Sequence, residues 1–195
     1  MNLSKTHQYM VGALLMLLMI LTRSSHAGSA MNLPDASWAI FFLAAFYLNG
    51  SLRLFPVFML AAWSIDLAAV RIGGVDPFCL TPAYFTLVPA YGSLWLAGRW
   101  YAGVHRDRLS SLLPLLGAFL LGVGVCEILS SGGFYLFSGH FQSHGWVEYL
   151  ERTIGYFPSF LATTLLYLSL AVCVHAAVRV HVRANHDKRL EHRAG

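Results

Sequence analysis

Charge is the scarcest feature of this chain. Asp, Glu, Lys and Arg make up 11% of its 195 residues, against 57% apolar residues. A soluble domain carries about 25% charged residues. A chain this poor in charge has too few polar side chains to cover its apolar surface, so lipid is the solvent it suits. Cysteine is scarce as well. Cys79, Cys126 and Cys173 are odd in number and show no CxxC spacing, which speaks against a zinc ribbon or a disulfide framework and leaves at least one thiol free. Internal repeats and low-complexity tracts are missing too.

What is present is long apolar runs and the punctuation between them. A span takes about 20 mostly apolar residues. Six candidates lie near residues 7–22, 36–54, 56–72, 82–103, 110–132 and 149–178. The expected fold is therefore all-α: a single integral membrane bundle of six transmembrane helices over 1–195. Residues 179–195 form a basic cytoplasmic tail, suited to anionic headgroups rather than nucleic acid. The first run is short. Ser25-His26-Ala27 and Gly28-Ser29-Ala30 both read as signal-peptidase sites, but the run is counted here as a span. Pro56 opens the third span, and Thr81-Pro82 reads as N-cap and first helical residue of the fourth. Pro89 is expected to kink that span, and Ser130-Ser131-Gly132-Gly133 to end the fifth. Trp38, Trp95, Trp100 and Trp146 fall near span ends, as interfacial aromatics do, whereas Trp63 sits deeper.

Orientation follows from the cations. Ten Lys or Arg fall on one side: Lys5, Arg53, Arg99, Arg106, Arg108, Arg179, Arg183, Lys188, Arg189 and Arg193. Three fall on the other: Arg23, Arg71 and Arg152. By the positive-inside rule both termini are cytoplasmic. Asp35, Asp66, Asp76, Glu127, Glu148 and Glu151 then lie in the outer half. For Asp35, Asp76 and Glu148 the plain reading is a solvated loop. Asp66 lies inside the third span, where a carboxylate is costly and faces a cavity or a partner. Trp63, Asp66 and Val70 share a helix face and together form one candidate wall. Glu127, beside Cys126, has the same two readings.

Cys79 follows Gly73-Gly74-Val75-Asp76-Pro77-Phe78, a loop before a helix start. The helix dipole there favours its thiolate, a soft metal ligand; buried packing is the alternative. Cys126 and Cys173 sit in apolar runs and read as packing residues. Arg152 pairs with Glu148 at i,i+4, either as a rim ion pair or as a donor to a ligand. Among the histidines only His175 lies well inside a span, which argues against a bis-histidine haem. An intramembrane enzyme has little to build on, Ser64 near Asp66 being the best nucleophile available. A structural or assembly role without a ligand is the other alternative.

The stretch from Trp38 through Tyr101, and above all Val75-Asp76-Pro77-Phe78-Cys79-Leu80-Thr81-Pro82-Ala83-Tyr84, resembles the BtuM family. These are solitary S-components of the energy-coupling-factor (ECF) type for cobalamin. The resemblance implies cobalamin uptake across the bacterial inner membrane, with Cys79 as axial ligand to the corrinoid cobalt and Asp66, Tyr84 and Arg152 lining the pocket. Cobalamin is then the transported ligand, and no other cofactor is implied. Removal of an upper ligand such as cyanide would make Cys79 catalytic in that limited sense. The family also implies an ECF coupling module as partner. Here the chain departs from the pattern: S-components carry an AxxxA-type motif in the first helix, whereas Met10 to Leu21 offers only Gly12 and Ala13 as small residues.

Overall fold

The computed structural model describes residues 4–23, 33–48, 51–74, 81–106, 108–142 and 145–194. Among these the fold is all-helical, with six α-helices: α1 (Lys5–Arg23), α2 (Ser37–Tyr47), α3 (Phe55–Arg71), α4 (Leu87–Val104), α5 (Leu112–Phe137) and α6 (Trp146–Ala194). Short 3-10 helices, Pro82–Thr86 and Leu109–Ser111, lead into α4 and α5. Two stretches, Leu109–Phe137 and Trp146–Val182, are long and apolar enough to cross a membrane.

α2 is the centre of the bundle. It is apolar on every side, and a helix of that kind has to be covered on every side. Accordingly Ala39, Ile40, Phe41, Phe42, Ala44 and Ala45 are all buried. α4 and α5 pack closely on each other, and α4 also runs along α2. The approach of α4 to α2 depends on Gly98, because a Cβ there would collide with the backbone carbonyl oxygen of Phe42. Phe41, Phe55, Phe58 and Trp95 form the aromatic heart, with Trp95 in edge or tilted contact with the three phenylalanines.

Several sequence expectations need correction. Among the described residues of the span expected over 36–54, only Ser37–Tyr47 are α-helical. Asn49-Gly50-Ser51 follows it, and such residues are poor helix formers. At about 1.5 Å per residue, α2 is roughly 16 Å long, about half of a hydrocarbon core. Trp95 is not interfacial: it is 0% exposed. Trp63 lies in the middle of α3 and is half exposed. Thr81 is the N-cap residue before Pro82 but makes no side-chain cap bond.

Pro89 does not kink a span in mid-course. It falls in the first turn of α4, where a missing N–H costs no intrahelical bond. The irregularity lies just upstream, in the 3-10 stretch Pro82–Thr86. The Ser-Ser-Gly-Gly run does not end α5, which continues to Phe137. Ser130 and Ser131 turn back on the helix, donating to the Cys126 carbonyl and to Glu127. Gly133 gives room for the Thr86 side chain, which a Cβ would strike. Its job is packing, not termination. The helix expected over 149–178 runs instead from Trp146 through the basic stretch to Ala194.

Candidate functional site

Antiparallel connection brings six segments to one end of the bundle. They are the C-terminal ends of α1, α3 and α5, the N-terminal ends of α2 and α6, and the 3-10 turn before α4. Between them lies a cavity of about 960 Å³. Its walls are rich in aromatic rings, among them Trp38, Phe134, Tyr149 and Phe160. Trp38 of α2 stacks on Phe160 of α6 at 5.5 Å, and Tyr167 of α6 donates to the Pro34 carbonyl at 2.8 Å. These two contacts hold the long helix against the start of α2.

The floor is built on Arg23, the last residue of α1. Its side chain is 7% exposed, and an unpaired guanidinium could not be buried that deeply. Nε and Nη2 grip Asp66 of α3 in a fork, at 2.6 Å to Oδ1 and 2.7 Å to Oδ2. Such bidentate, charge-assisted contacts are the strongest a carboxylate makes. Nη1 donates to Ser37 Oγ at 2.8 Å and to Tyr91 Oη at 2.9 Å. Ser37 passes the chain on, donating to Asp35 Oδ1 at 2.6 Å. Tyr84, from the 3-10 turn, donates to Asp66 Oδ2 at 2.7 Å. One guanidinium thus ties together α1, the start of α2, α3 and α4, and through Asp66 the 3-10 turn.

Of the residues singled out from sequence, Asp66, Tyr84 and Arg152 all line this one cavity. Arg152 sits at the rim, 49% exposed, 3.3 Å from Glu148 and 4.5 Å over the Phe141 ring. Glu127 is buried, lines the same cavity and accepts from Ser131 at 2.6 Å. Val70 lines the cavity beside Asp66, but Trp63 does not join that wall. Asp35 is no plain solvated loop residue: it accepts from the Ser37 N–H and hydroxyl, an Asx turn at the helix start. Ser64 is exposed and donates to the Leu60 carbonyl, away from any nucleophilic role with Asp66. Cys126 is buried in the core and Cys173 is exposed. Cys79 and Asp76 lie outside the described residues, although Gly74 and Ala83, on either side of that segment, both line the cavity.

Sequence reasoning passed over Arg23, Ser37 and Tyr91. Arg23 entered only as an outer-side charge beside a possible cleavage site. The signal available was an arginine ending one apolar run and an aspartate inside another, two charges that each need a partner in the same half of the bundle. No family model matches the chain, and no curated protein matches it in sequence.

Proposed function

We propose that the chain is a six-span protein of the bacterial cytoplasmic membrane that captures cobalamin in this cavity from the outer side and delivers it inward. The observation that carries the reading is a cavity of about 960 Å³ lined together by Asp66, Tyr84 and Arg152, with Gly74 and Ala83 also in its wall. That volume is at the upper end for small-molecule sites, as a macrocyclic ligand requires. Aromatic walls suit the faces of a corrin, and hydroxyls and charges at floor and rim suit its amides and phosphate. Beyond the two membrane-capable stretches, α1, α3 and α4 have 19, 17 and 18 residues, close to the length of a span. α2 is shorter, but non-helical chain at its ends is tolerated where protein rather than lipid surrounds it.

Cys79 would bind the cobalt of the incoming corrinoid as thiolate. With cyanocobalamin this is a ligand exchange without redox change. The sulfur lone pair forms the Co–S bond, the Co–C bond breaks, and cyanide leaves with its electron pair. The thiol proton passes to solvent or to the departing cyanide. The protein would then act first as a transporter and only secondarily as a decyanating agent. Coupling to an ECF module would need a docking surface other than an AxxxA motif in α1.

Purification from cells supplied with cobalamin tests the reading. The protein is expected to be red or brown with near-stoichiometric corrinoid, and to restore growth to a cobalamin-uptake-deficient host, assayed with and without a coupling module. A colourless protein that fails to rescue would leave a structural or assembly role in its place.

A further inference from the structure

Two hydroxyls at the cavity floor are polarised in opposite senses by one guanidinium. Tyr84 Oη gives its proton to Asp66 Oδ2 at 2.7 Å, so it turns lone pairs toward any other group. Tyr91 Oη receives Arg23 Nη1 at 2.9 Å and, among the described residues, has its own proton left to give. Asp66 can hold the Tyr84 proton because Arg23 clamps its carboxylate from the other side. Arg23 therefore sets both directions.

An acceptor and a donor tied to the same ion pair complement a primary carboxamide, whose NH₂ donates and whose C=O accepts. A carboxylate fits badly. It has no N–H for Tyr84, and it would add a negative charge where Asp35 and Asp66 already share one guanidinium.

The geometry points to a carboxamide-selecting subsite at the cavity floor, with Tyr84 and Tyr91 as ligand contacts and Arg23 and Asp66 as positioning residues. It rests on the cobalamin reading and deepens it, because the rim of a corrinoid carries primary amides that must be told apart from the corresponding acids.

The test uses the full chain in detergent. Its probes are cyanocobalamin and, one at a time, the monocarboxylic acids made by hydrolysing one peripheral propionamide. At least one acid is expected to bind about tenfold more weakly than cyanocobalamin, the scale of one buried group left unsatisfied. Tyr84→Phe removes the acceptor and should bring that ratio to within about twofold. Asp66→Asn replaces an acceptor of the tyrosine proton by an amide able to donate to Tyr84. It should release that proton to the cavity and move the ratio toward the acid. A purely structural defect would weaken both ligands and leave their ratio alone. Tyr84→Phe keeps the Arg23–Asp66 pair, so it decides the matter even where Asp66→Asn does not fold. Equal wild-type affinity for cyanocobalamin and every acid, or an unchanged ratio in Tyr84→Phe, overturns the subsite and leaves the cobalamin reading standing. Binding of neither probe overturns both.

Discussion

The two ends of α2 solve the same problem in different ways. At its start, Ser37 meets the Arg23–Asp66–Tyr84–Tyr91 network, where formal charges are paired beside a large cavity. At its finish, Phe46 and Tyr47 meet His105 and His175, where the polar atoms are bridged by tyrosine hydroxyls and the space is filled with rings. Tyr101 Oη lies 2.8 Å from His105 Nδ1 and Tyr47 Oη lies 3.2 Å from His175 Nδ1. Phe46 contacts Tyr47, Tyr101 and both imidazoles. Rings packed on one another, some edge to face and some stacked or tilted, leave little room for a ligand, whereas a clamped ion pair can stand at the edge of an open space. The difference leaves open space at the charged end, where the proposed function puts binding, and makes the aromatic end a joint between α2, α4 and α6.

Breaking the charged end should have the largest effect. Arg23→Ala or Asp66→Ala leaves one partner of a largely buried pair unpaired, at a cost of about 3–5 kcal/mol. Thermal unfolding in detergent should show each single variant far below wild type. The double variant Arg23→Met with Asp66→Leu should recover most of the loss, because the cost lies in the orphaned charge. A double variant as unstable as the singles would mean that the network stabilises through its geometry rather than through charge balance.

That pair was also the feature least legible in the sequence. Apolar run lengths were enough to show an all-helical chain and to mark α1, α3 and α4 near their observed positions. They could not show that α2 stops at Tyr47, since a buried helix and a span carry the same apolar signal. Gly132-Gly133 read as a stop because local propensity says nothing of Thr86 lying opposite. Asp66, Tyr84 and Arg152 were readable as candidates, being polar residues in apolar surroundings or in a motif. Arg23 and Tyr91 were not, because a hydrogen bond across 43 or 68 residues leaves no mark on periodicity.

Between the two ends, Gly98→Ala tests the close approach of α4 to α2. The added methyl meets backbone at Phe42 rather than a side chain that can turn away, so a loss of about 1–3 kcal/mol is expected by the same unfolding assay. At the aromatic end, Tyr101→Phe removes the hydroxyl that bridges His105 and the Ser111 carbonyl. A smaller loss, about 1 kcal/mol, is expected, with corrinoid binding unchanged. A specific binding defect in Tyr101→Phe would break the division of labour between the two ends.

The smallest stability effect should come from the rim. Arg152 and Glu148 are exposed to solvent, and such a pair is worth about 0–1 kcal/mol after screening. Arg152→Ala should therefore fold and accumulate normally while weakening cobalamin uptake. Lower protein levels with unaltered uptake per molecule would return Arg152 to a rim ion pair without a part in binding.

The most direct test is the absorption spectrum of cyanocobalamin bound to the purified protein, wild type against Cys79→Ser. Exchange of cyanide for thiolate changes the ligand field of cobalt. The wild-type complex should therefore differ from the free vitamin and release free cyanide. Cys79→Ser should show neither change, while Cys126→Ala and Cys173→Ala behave as wild type. Identical spectra for wild type and Cys79→Ser, with no cyanide released by either, would contradict thiolate ligation of the cobalt in this cavity.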